Sequence, residues 1–161
     1  MRITLVLLCL TAGCAPALRS TPPSRTAAEL AGCYALEYGA WGPEIRNSGL
    51  DSPADLPAAI RLSTQRSGWR PGGETRRPFY EVHALPGTSA ARNPFRVWTP
   101  VGSDSVWAGV PIQFGGFNLH LVRDGADLRG EAEAYTDDLG GPGPPETRTS
   151  VAARRIPCPA P

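Results

Sequence analysis

The feature that most constrains this chain is a succession of short alternating runs, separated by Gly, Pro, Asp and Asn. Tyr34, Leu36 and Tyr38 alternate in the first run, Ile60 and Leu62 in the second, and Tyr80, Val82 and Ala84 in the third. Phe95, Val97 and Thr99 mark a fourth, Val106, Ala108 and Val110 a fifth, and Phe117, Leu119 and Leu121 a sixth. Leu128, Gly130, Ala132 and Ala134 form the seventh, and Thr149 to Ile156 the eighth. A period of two places each set on one face of an extended strand. Short strands at this spacing predict an all-β domain. There is no internal repeat and no long helix, and only Pro53 to Ala59 reads as a turn of one. About eight antiparallel strands fit an up-and-down barrel or, alternatively, a two-sheet β-sandwich.

The N-terminus says where such a domain resides. Arg2 precedes the apolar run Ile3 to Leu10, and the small residues Thr11-Ala12-Gly13 lead to Cys14. A charged start, a short apolar core and small residues before a cut are what an export signal requires, and the run is too short to span a bilayer. Thr11-Ala12-Gly13-Cys14 resembles the lipobox of bacterial lipoproteins, although Thr11 stands where a Leu is usual. The resemblance implies that residues 1–13 are removed and that Cys14, as the new first residue, carries a diacylglycerol that anchors the protein. Ala15, in the place where Asp would signal inner-membrane retention, implies the outer membrane in a diderm bacterium. The alternative is an ordinary cleaved signal, since Ala15-Pro16-Ala17 has the small-x-small form of a signal-peptidase site, leaving a soluble periplasmic or secreted protein. Residues 14–31, rich in Ala, Ser, Thr and Pro, suit a flexible tether. The domain is expected to occupy 32–161.

With Cys9 and Cys14 assigned to the signal region, Cys33 and Cys158 remain for the folded domain. Outside the cytoplasm an even pair is most simply a disulfide. The absence of a CxxC spacing and of nearby histidines argues against zinc. In an even-numbered meander that closes, the first and last strands become antiparallel neighbours. The start of strand one then lies beside the end of strand eight, where these cysteines fall, and this favours the barrel. The bridge would close nearly the whole domain into one loop, contributing up to about 4–5 kcal/mol in the chain-entropy treatment. The arrangement is similar to the calycin barrels, the lipocalins and avidins, and Gly32-Cys33-Tyr34 resembles the lipocalin opening Gly-x-Trp with Tyr34 in place of the Trp.

Two hairpins have legible turns. A loop of Val101-Gly102-Ser103-Asp104 would place Val97 opposite Ala108 and Trp98 opposite Trp107, with the two tryptophans side by side away from the core. Asp124-Gly125 is a strong hairpin signal. Around it Phe117, Leu119 and Leu121 share a face with Leu128, Gly130, Ala132 and Ala134, while His120 shares the other with Arg129, Glu131 and Glu133. Large residues facing small ones across strands fill a tapering interior.

Composition excludes several classes. About 147 residues after the signal suffice for one domain. All sixteen basic residues are Arg, and without Arg2 fifteen arginines balance fifteen acids. The basic footprint of nucleic-acid binding is therefore missing. Glu81 and His83 share a strand face that reads as solvated, and His120 has Arg129, Glu131 and Glu133 on its face, so solvation explains the first and a cross-strand charge pair the second without catalysis. Asp137-Asp138, Asp51 and Asp55 lack calcium-loop spacing, and no serine sits in a Gly-x-Ser-x-Gly elbow. No cofactor or metal is called for. Trp41, Trp98 and Trp107, out of phase with the core runs, are the candidate ligand or partner surface. The leading expectation is a membrane-anchored binding module for a small apolar molecule, lipid or envelope glycan. A structural or protein-interaction component of the envelope is the alternative, and a hydrolase or isomerase using Glu81 or His83 the third.

Overall fold

The structure, a computed structural model, describes residues 23–41, 56–69, 77–86, 94–112, 115–135 and 147–160. A short helix α1 (Arg25–Leu30) precedes eight strands: β1 (Gly32–Tyr38), β2 (Ala59–Arg66), β3 (Tyr80–Ala84), β4 (Val97–Val101), β5 (Ser105–Ile112), β6 (Gly115–Asp124), β7 (Asp127–Tyr135) and β8 (Thr147–Ile156). Each strand pairs antiparallel with the next, and β1 also pairs with β8, so the sheet closes into an eight-stranded up-and-down barrel. Closure gives every strand two neighbours, with the β3–β4 ladder the shortest. The sandwich alternative is thereby set aside.

The register across β1 and β8 sets Cys33 opposite Ile156, and Cys33 is disulfide-bonded to Cys158 with the Cα atoms 5.2 Å apart. The bond ties the start of the first strand to the chain just beyond the last, as the meander requires. Inside, large residues meet small ones. Leu119 faces Ala132, Phe117 faces Ala134 and Leu121 faces Gly130, so the faces divide as the sequence predicts, with the turn centred one residue past Asp124-Gly125. The loop itself is Gly125-Ala126, with Gly125 at φ 65° and, among the described residues, no non-glycine at positive φ. Glycine at the first central position is what a type II′ turn needs.

The other hairpin corrects the sequence reading. Val101 pairs with Ser105, so the loop is Gly102-Ser103-Asp104, one residue shorter than expected, with Gly102 at φ 67°. A one-residue slip exchanges faces. Trp98 therefore lies opposite Ala108, while Trp107 lies opposite Thr99 on the other face. The two tryptophans are not a pair. Phase could not be read from β4 because Val97, Trp98 and Thr99 are all buried. Trp98 faces the core, and on the outer side Phe79 meets Trp107 edge-on, ring centroids 6.2 Å apart.

A second correction concerns the tether. Residues 25–30 are helical, and Ala27 and Leu30, three apart on one helix face, are buried in the core. Ser24 caps the helix, its hydroxyl accepting from the Ala27 amide at 3.1 Å. The folded domain thus begins before Gly32, and its first element closes one end of the barrel.

Candidate functional site

The barrel has two unlike ends. At the helix-closed end the polar groups of α1 are met one by one. The Ser24 amide donates to the Tyr80 hydroxyl at 3.1 Å, and the Tyr34 hydroxyl donates to the Leu30 carbonyl at 2.8 Å. Arg155 lies over the Tyr34 ring and donates to the carbonyls of Ala31 at 2.6 Å and Glu29 at 3.5 Å. Carbonyls that a helix C-terminus leaves without partners are thus satisfied. A Cβ at Gly32 would sit 2.9 Å from the Arg155 guanidinium, so the glycine makes room for this clasp. Burial raises the Tyr34 hydroxyl above the ordinary phenol range, and the nearby charge of Arg155 opposes that rise.

The opposite end is built differently. Strands β1 and β2, β3 and β4, and β7 and β8 are connected there, through 39–58, 85–96 and 136–146. Trp41, just past β1, is half-buried and packs against the edge of the core. Its ring meets Phe117 edge-on at 5.8 Å and stacks near Tyr38 at 6.4 Å. The Trp41 indole N–H is buried and has no hydrogen-bond partner among the described residues. Tyr38 donates to the Pro57 carbonyl at 3.2 Å, and burial pushes its hydroxyl far above the ordinary phenol range. Thr149, also buried, donates to the Ala40 carbonyl at 3.1 Å and holds the segment leading to Trp41 against β8. A buried indole donor normally finds an acceptor, and leaving one unmet costs about 1–3 kcal/mol.

The residues singled out in the sequence fare unequally. Trp41 stands at the loop end, as a site residue could. Trp98 does not belong to any surface: it is 0% exposed, its indole N–H donates to the Ser63 carbonyl at 2.8 Å, and its ring lies 5.2 Å from that of Tyr80. Its assignment as a ligand or partner contact is overturned by the register slip. Trp107 is half-buried on the outer wall against Phe79, far from sharing a face with Trp98. Cys14, Asp51, Asp55 and Asp137-Asp138 lie outside the described residues.

Glu81 and His83 are on the outer wall 3.3 Å apart, and His120 lies 3.7 Å from Glu133, which Arg148 also contacts at 2.8 Å. The first is a contact within β3, and the second is the cross-strand pairing between β6 and β7 that the sequence suggests for His120. Among the described residues no group of three or more His, Cys, Asp or Glu is placed to hold a metal ion, and no helix is long and apolar enough to cross a membrane. Sequence reading missed the clasp of Arg155, Tyr34 and α1. Its one legible sign was Ser24 ahead of Arg25-Thr-Ala-Ala-Glu29-Leu30, a capping residue before an i,i+4 charge pair.

Comparison with known proteins returns no match to this chain, whether among family models, curated proteins or solved structures.

Proposed function

We propose that the protein is a lipid-anchored extracytoplasmic binding module that takes a small apolar molecule at the loop end of its barrel. The observation that carries this reading is Trp41: an aromatic side chain packed at the edge of the apolar core, with a buried indole N–H that has no acceptor among the described residues. A few placed polar groups on a mostly apolar lining are how such sites fix a ligand's orientation. The ligand that suits this end has an apolar body to lie against Phe117 and Tyr38 and one acceptor oxygen for the indole. Anchoring through Cys14 follows from the lipobox resemblance, and two or three acyl chains would hold it firmly.

Binding of an environment-sensitive apolar dye tests the site. Trp41→Phe, which keeps the ring and removes the donor, should weaken binding of a carbonyl-bearing dye about fivefold to tenfold, the loss of one hydrogen bond, and leave a purely hydrocarbon dye unaffected. Equal binding of both dyes by wild type and variant contradicts the site. Membrane fractionation of wild type and Cys14→Ser tests the anchor, with release of the variant as the expected outcome.

One observation favours the second reading, a structural component without a ligand. Tyr34, Tyr80, Trp98 and Phe117 are fully buried and, with α1, occupy much of the barrel's interior. Failure of any apolar dye to compete for Trp41 would decide in its favour.

A further inference from the structure

We infer that the helix-closed end of the barrel is the face laid against the lipid surface, so that the loop end with Trp41 opens away from the anchoring membrane. The inference rests on the lipid anchor proposed above and adds the orientation and the contact face, which the anchor alone does not set. Cys14 is followed by only ten residues before α1, and an extended chain of that length reaches no farther than about 35 Å. The anchored chain arrives at Ser24, which is fixed to Tyr80 at the helix-closed end. That end therefore lies nearest the bilayer.

The surface there fits the contact. Val101 and Val122, at 38% and 48%, are the exposed large hydrophobic residues among those described, and both pair with Ser105, putting them on one outward face at the helix-closed end. Arg129 and Arg25 stand nearby as mostly exposed guanidiniums, with Arg123 between β6 and α1. Arginine suits lipid phosphate because its planar fork donates to two oxygens. Asp124 and Glu29, paired with these arginines, keep the face near neutral. A near-neutral face with two valines cannot hold a vesicle unaided, so the anchor supplies attachment and the face supplies orientation. The occupant of the loop end then arrives from the aqueous side, not from the anchoring leaflet.

Two exposed alanines mark the poles, Ala126 in the β6–β7 turn and Ala58 before β2. Lipidated protein with a fluorophore on Ala126→Cys or on Ala58→Cys is placed on vesicles of phosphatidylcholine and phosphatidylglycerol carrying a headgroup-linked quencher. The Ala126 label should be quenched several-fold more than the Ala58 label, and Val101→Ser with Val122→Ser should narrow the difference while flotation with the vesicles persists. Equal quenching at both poles, or stronger quenching at Ala58, would overturn the orientation while leaving the anchor intact. A lipidated chain that fails to float with the vesicles would overturn the anchor and this inference with it.

Discussion

The two ends of the barrel solve the same problem, closing an apolar interior, by opposite means. At one end a helix is driven in by Ala27 and Leu30, and its polar groups are answered by Tyr34, Tyr80 and Arg155, with the Cys33–Cys158 bond alongside. At the other, among the described residues, Trp41 packs edge-on against Phe117 and its buried indole N–H has no partner. The helix-closed end has its polar groups satisfied, whereas the indole N–H at the other end is, under the binding proposal, the donor kept for a ligand. The contrast gives unequal responses to mutation.

The largest effect should come from Trp98→Ala, in the layer beneath α1. Loss of the ring and of its bond to Ser63 should cost about 3–5 kcal/mol in chemical denaturation, against about 1 kcal/mol for the half-buried Trp41. Equal costs would erase the distinction between the ends. Next, replacing Cys33 and Cys158 together by Ala should cost about 2–4 kcal/mol, seen as a lower Tm under non-reducing conditions. An unchanged Tm would mean that the first and last strands hold each other without the bond.

A smaller effect is expected from Arg155→Met, which keeps an apolar stem over Tyr34 but loses the clasp on Ala31 and Glu29. About 1 kcal/mol of stability should go, and the Ala31 amide, bonded to the Ala27 carbonyl, should exchange faster while amides near Trp41 do not. Uniform acceleration would show that the helix unfolds only with the whole barrel. The smallest effect is that of pH at the loop end. Burial lets folded Tyr38 keep its proton to higher pH than the unfolded chain does. Between those two values the folded state binds more protons, so stability falls as pH rises. The contribution is complete below about pH 10 and drains away above it. Tyr38→Phe should flatten that alkaline fall in urea midpoints, and an identical fall in the variant would assign it elsewhere.

How far the fold was legible depended on how local its signals were. In the β6–β7 hairpin the faces were read correctly because they differ sharply, Leu119 and Ala132 on one and His120 and Glu131 on the other, although the turn centres on Gly125-Ala126, one residue past Asp124-Gly125. The β4–β5 hairpin was misread because Gly102, Ser103 and Asp104 allow several loop lengths and Val97, Trp98 and Thr99 are all buried, so hydrophobicity carries no phase there. Barrel closure was legible from the cysteine positions. The clasp was not, since Arg155 meets Ala31 across nearly the whole chain and a surface arginine announces no partner. Trp41 was named from the sequence, but its unmet donor depends on how the chain after Tyr38 bends over Phe117.

The claim that the loop end is a binding end is tested most directly by native mass spectrometry of the protein released gently from membranes of its own host. Wild type and Trp107→Ala should carry the same small apolar molecule, and Trp41→Ala should have lost it while remaining folded. A molecule retained equally by all three, or found on none, would contradict the account.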